Sequence, residues 1–162
     1  MTQTQDSLRQ ALDRTSGETL QDRFHGLVLL VLDAFSEVRF DDELVAKPLA
    51  ELRALCDRRE SEERRWEKLN SHAARASGHF LEDADILPAC LVARHACDAG
   101  YLVCPRAYQR TPDDCPAWIR EYILAMVANA ELVISRHHLG DDPTGSISSK
   151  VIQYLNADGT TV

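Results

Sequence analysis

The stretch "CLVARHACDAGYLVC", residues 90–104, decides how this chain is read, because it permits two incompatible structures. Cys90, Cys97 and Cys104 recur at seven-residue steps beside His95, so the segment is either a metal or redox site or the buried face of a helix. At about 100° per residue on a helix running from Leu87 to Cys104, the three cysteines share one narrow stripe and His95 lies nearly opposite Cys97. Successive thiols are then two turns apart, about 10 Å along the axis. A single zinc ion, whose bonds to sulfur are about 2.3 Å long, cannot take two of them from one regular helix. Free cysteine behaves as a small hydrophobe and is among the most buried residue types, so the stripe is expected to be a core seam. The same wheel gathers Arg94, His95 and Asp98 on one side, a polar window in an otherwise apolar helix, with Arg94 and Asp98 at pairing distance. That window is a solvated strip, or else a small polar site or a partner contact. Cys104 and Cys115 flank a Pro-containing loop, where a reversible disulfide is the alternative to two free thiols.

The neighbouring segments carry the same helical period. "TLQDRFHGLVLLVLDAFSEV", residues 19–38, opens with a capping-box pattern from Thr19 to Asp22 and repeats apolar residues at three- and four-residue steps. Leu29, Leu30 and Leu32 make it apolar on most sides, which predicts the central helix of a bundle, with a buried strand in "LVLLVL" as the rival. After the acidic turn at Asp41 and Asp42, Pro48 suits the first turn of a new helix, because its missing N–H would be unpaired there. Leu49, Leu52, Leu55, Cys56, Trp66, Leu69, Ala73 and Ala76 mark one face as far as Gly78. Its middle, "DRRESEERRWEK", is a solvated face or a bend, with a charged docking surface as the alternative, and carries Arg58/Glu62, Arg59/Glu63 and Glu60/Arg64 as opposite charges four apart. Asp113, Asp114 and Pro116 start a further helix that Gly140 ends, and Ser146 can cap a last short one over Ile147 to Leu155. With no repeat and no alternating pattern, the sequence predicts an all-α fold. It is a single domain over 1–162, a bundle of about five or six helices with a short C-terminal helix. Residues 1–17 are expected to be a frayed segment holding one short helix, and 157–162 a flexible tail.

Composition narrows the function more than any motif does. At 162 residues, 44% hydrophobic and 27% charged, the chain has the make-up of an ordinary globular domain, able to fold without disulfides or metal. The first residues show neither a signal peptide nor a membrane span, and five cysteines, an odd number, favour free thiols, so a cytoplasmic protein with no membrane association is expected. A formal charge of −8 argues against direct nucleic-acid binding, which needs a basic face, and favours a basic protein partner. The preponderance of arginine over lysine hints at a GC-rich bacterial genome.

Candidate sites follow from where charge and aromatic residues fall. Acidic pairs recur at the helix junctions: Asp41/Asp42, Glu82/Asp83, Asp113/Asp114 and Asp141/Asp142. Capping and the helix dipole explain each locally. In an up-and-down bundle they alternate between ends, which places Asp41, Asp42, Asp113 and Asp114 at one end. The other end then holds Asp83 and Asp141 with His79, His137 and His138, the only convergence of imidazole and carboxylate that could hold a transition metal or run acid/base chemistry. No HExxH, Gly-rich phosphate loop or GxSxG elbow accompanies it. The expectation is therefore a small bacterial regulator, adaptor or immunity-type antitoxin, or an acidic mimic of nucleic acid, that binds a macromolecule and needs no cofactor. A metal-binding enzyme or sensor is the alternative. Trp66, Trp118 and the Arg94/His95/Asp98 strip join the acidic junctions as candidate partner contacts.

Overall fold

The computed structural model describes residues 3–137 and 146–157, and among these the chain is helical throughout, with no strand. Eight helices follow in order: α1 Gln3–Arg14, α2 Gly17–Ala34, α3 Glu43–Asp57, α4 Glu63–His79, α5 Leu87–Val103, α6 Pro105–Arg110, α7 Cys115–Arg136 and α8 Ile147–Asn156. The all-α expectation holds, while the expected count of five or six is too low.

One helix break, inside the stretch read as a solvated face or a bend, accounts for part of that difference. The long helix expected from Leu49 to Gly78 is two helices, separated at residues 58–62 by a C-terminal cap. Glu60 N–H donates to Leu55 O at 2.9 Å and Arg59 N–H to Cys56 O at 3.1 Å, the paired bonds of a Schellman motif. The residue in the left-handed position is Arg59, at φ 50°, where glycine is the usual occupant. Glu60 then fastens the turn: its carboxylate accepts from Arg58 Nε at 2.9 Å and from the N–H groups of Ser61 and Glu62 at 3.1 and 3.2 Å. Arg59 reaches across to donate to Asp22 O on α2 at 2.8 Å. The charges consequently pair as Arg58–Glu60, Arg64–Glu62 and Arg110–Glu63, not at the four-residue steps of a continuous helix.

The additional turn changes which junctions share an end. Asp42 and Asp83 both act on the Cys90 thiol at the start of α5, the Phe40 ring lies 5.8 Å from the His137 ring, and His137 Nε2 lies 3.2 Å from Asp85 O. The Asp41/Asp42 junction therefore belongs with Asp83 and His137. Asp113 and Asp114 lie at the opposite end, where Arg110 is bound to Glu63 beside the 58–62 turn.

The expected centre also shifts. In α5 ten of seventeen residues are buried, and this helix packs chiefly against α7 and α4, whereas α2 leaves Leu29 and Leu30 only partly buried. Small residues explain the choice of centre: Ala89, Ala93, Ala96, Ala99 and Gly100 let neighbours approach from several sides. At Gly100 an added Cβ would overlap the Trp66 ring. Cys90 and Cys97 on this helix and Cys104 at its C-terminal cap are all buried, as a core seam requires. Cys104 and Cys115 are free thiols, the first donating to Gly100 O at 3.3 Å and the second lying 3.3 Å from Thr111 Oγ1.

The start of the chain is more ordered than its composition suggested. Leu8 and Leu12 of α1 are buried, and Arg120 of α7 donates to Leu12 O, which also accepts from Thr15 N–H, and to Thr15 O, at 2.9 and 2.8 Å, tying the end of α1 to α7. Arg9 adds a forked contact to Glu121 at 2.7 and 3.3 Å. Helix α2 begins earlier than the Thr19 box, with Ser16 Oγ accepting from Thr19 N–H at 3.1 Å. Helix α3 begins at Glu43 under the Asp42 cap, so Pro48 is buried inside it and not in its first turn. Ser146 caps α8 as expected, and the buried Ser148 is held by the Glu131 carboxylate.

Candidate functional site

Helices α4, α5 and α7 meet side by side, and where their polar edges converge they leave a cleft of about 460 Å³. Glu67 and Asn70, three apart on α4, form one wall. Asp98, Tyr101 and Leu102, at three- and four-residue spacing on α5, form the base, and Trp118 and Tyr122, four apart on α7, form the other wall. Trp66 closes the floor. The wall residues lie on helix edges just outside the buried stripes, so the close approach of the three helices aims them into one space.

Within the cleft, Asn70 Nδ2 donates to Asp98 Oδ1 at 2.7 Å and joins α4 to α5. The second oxygen of Asp98 lies 3.9 Å from His95 Nδ1, beyond hydrogen-bonding range, so among the described residues it has no hydrogen-bond donor. Asn70 Oδ1 and His95 Nδ1 are buried without hydrogen-bond partners. His95 stacks on Tyr122, with ring centroids 6.4 Å apart and planes 25° apart. Burial lowers the His95 pKa below the ordinary histidine value; Asp98 opposes this and Arg94 adds to it. Burial, and then the Asp98 charge, raise the Tyr122 pKa. Trp118 is 47% exposed at the mouth. The lining thus offers two carboxylates and several aromatic faces but no lysine, arginine or histidine. Chemically, such a lining can take a positive, donor-rich group.

The residues expected from sequence to make contacts are distributed unevenly around this site. Trp118 and Asp98 line it, and His95 lies beside it against Tyr122. Arg94 is exposed, and the expected pair with Asp98 gives way to the Asn70 bond. Trp66 is not an exposed anchor: it is fully buried, donates through Nε1 to Glu60 O at 3.1 Å and meets Phe24 edge to face. The cause is the same 58–62 turn, which folds its backbone over the indole. Asp113 and Asp114 are exposed one turn before Trp118, and Asp114 makes no side-chain cap, so that charge is not spent on the helix end. Asp42 does cap α3, accepting from Leu44 N–H at 2.9 Å, while Asp41 is exposed at the far end.

Of the alternative metal set, the described members Asp83, His79 and His137 are each engaged separately. Asp83 accepts from the N–H groups of Asp85 and Ile86 at 3.1 and 3.2 Å, as the cap of the turn before α5. His79 is exposed against Phe80, and His137 is held between Phe40 and Asp85 O. His138 and Asp141 lie outside the described residues. Among those described, no three His, Cys, Asp or Glu side chains converge to hold a metal ion.

Glu67, Asn70, Tyr101 and Tyr122 are the site residues that sequence reasoning missed. The spacings Glu67/Asn70, Asp98/Tyr101 and Trp118/Tyr122 each signal a shared helix edge, but only helix pairing shows that the three edges face one another. No helix among the described residues is long and apolar enough to cross a membrane. Comparison of the chain with protein-family models, with curated proteins and with solved structures finds no match.

Proposed function

We propose that this chain acts by binding a basic macromolecular partner on the face where α4, α5 and α7 meet, as a small bacterial regulator, adaptor or immunity-type protein. The observation that carries this reading is Trp118, half-exposed at the mouth of a cleft lined by Glu67 and Asp98 and by no cation. A large aromatic residue left in water beside unpaired polar groups has the make-up of an interface anchor, since tryptophan, tyrosine and arginine dominate binding energy at protein interfaces. Asp113 and Asp114 extend the negative field to the rim of the same face, and the formal charge of −8 reinforces it. Fields of this kind raise association rates and are screened over about 10 Å at 0.1 M salt.

Photo-crosslinking in cells tests this. A photoreactive phenylalanine derivative in place of Trp118 should trap a discrete basic protein. The same residue in place of Leu81, which is exposed on the turn after α4 at the opposite end, should not. Equal products from both positions, or none from position 118, would contradict the proposal.

A further inference from the structure

We infer that the cleft seats one arginine side chain of the partner, its guanidinium against the Asp98 carboxylate and across the Trp118 ring; this rests on the partner-binding reading above. Three observations point to a guanidinium in particular. First, the lining has two carboxylates on neighbouring helices, Glu67 and Asp98, and no cation of its own, with Glu67 also bordering the adjoining pocket that Arg64, Arg106 and Arg110 line. The nearest arginine with a contact on the lining is Arg110, which touches the Tyr101 hydroxyl at 3.2 Å and is already engaged by Glu63 at 2.9 and 3.2 Å.

Second, the Asp98 carboxylate is held for one geometry. Asn70 occupies Oδ1 and leaves Oδ2 without a donor, so the acceptor is fixed in place before a ligand arrives. Third, the walls are flat. Trp118 and Tyr122 stand four apart on α7, and Tyr122 is steadied by stacking on His95. A planar, weakly hydrated guanidinium stacks on such faces while donating in its own plane, whereas a lysine ammonium is a compact, strongly hydrated point charge that gains less from them.

The experiment is a titration of the intact chain with N-acetyl-arginine amide, followed by the nitrogen–proton signals of the Trp118 indole and the Asn70 side-chain amide. N-acetyl-lysine amide and N-acetyl-citrulline amide serve as the matched probes. Arginine should shift both signals and saturate at a concentration about tenfold below lysine, and citrulline, planar but uncharged, should be weaker again. Asp98→Asn, which keeps shape, and Trp118→Leu, at an exposed position, should each abolish the arginine response while the helical spectrum is unchanged. Equal responses to the three probes, shifts confined to other residues, or a response that survives Asp98→Asn would overturn the inference. If arginine fails while position 118 still crosslinks a basic protein, the arginine seat alone is wrong; if both fail, the partner-binding reading falls with it.

Discussion

Asn70 on α4 donates to Asp98 on α5 at 2.7 Å, and this one bond couples the wall of the cleft to its base. A hydrogen bond to a charged group contributes about 1.5–3 kcal/mol when shielded from water. The Asp98 side chain is 26% exposed, so water can replace part of the lost contact. Asn70→Ala is therefore expected to lower stability by about 1 kcal/mol, read as a lower urea midpoint at unchanged slope. An unchanged midpoint would mean that the coupling adds nothing to the fold.

The two tryptophans should behave as opposites towards a soluble quencher. Trp66 is fully buried and bound to Glu60 O, whereas Trp118 is 47% exposed. Acrylamide should quench part of the native emission and leave a protected remainder. With Trp118→Phe the quenchable part should vanish. A Trp118→Phe protein that is still readily quenched would show that the 58–62 turn does not cover Trp66.

The thiols give a chemical test of the core. All five cysteines are buried and unpaired. For four of them burial is the main reason that ionisation is resisted: Cys90 is pushed up to about 11, Cys56 and Cys104 to about 12, and Cys97 well above its usual value. Since the thiolate is the nucleophile, a disulfide reagent at neutral pH should find almost nothing to attack until the protein is unfolded, when all five should react. Rapid labelling of Cys90 and Cys97 in the native protein would contradict the helix seam from which the fold was read.

Stability should fall as the pH drops below neutrality, and His25 should be a main cause. His25 is 8% exposed on α2, its ring nitrogens lack hydrogen-bond partners, and it packs against Phe24 and Trp66. Burial lowers its pKa below 6.5, Arg59 lowers it further, and Glu60 opposes the shift. The unfolded chain therefore takes up a proton near pH 6.5 that the folded chain resists. This contribution is complete above that pH and is lost as the pH falls through it, by at most about 1.4 kcal/mol per pH unit. His95, lowered in the same direction, adds to the slope, while Glu60 and Glu63, held below the ordinary carboxylate value, act only in more acidic solution. Denaturation of His25→Phe at pH 7.5 and 5.5 should show a smaller difference than the parent. An equal difference would assign the pH dependence elsewhere.

How much of this was legible in the sequence depended on whether a feature is local. The apolar period of residues 19–38, 87–104 and 115–136 showed the helices, because each segment carries its own stripe. The break between α3 and α4 showed only as a possible bend in residues 57–68, because Arg59 occupies a position where glycine would have announced a helix end. That single residue hid the full turn and shifted the expected pairing of the acidic junctions. At the site, Trp118 and Asp98 stood out by type. Asn70, Tyr101 and Tyr122 acquire meaning only when three helices, separated in sequence by loops of different length, are set edge to edge.

The most direct test of the central claim, that the Trp118 face captures a basic partner, is a quantitative co-purification from the native cell at several ionic strengths. Four proteins should be compared: the parent, Trp118→Leu, the pair Glu67→Gln with Asp98→Asn, and the pair Asp113→Asn with Asp114→Asn. The expected result is one basic protein recovered in near-stoichiometric amount with the parent and released as salt is raised. It should be lost with the first two variants, and recovered more slowly with the third, because rim charge acts mainly on the association rate. A partner bound equally by all four proteins and indifferent to salt would contradict the claim.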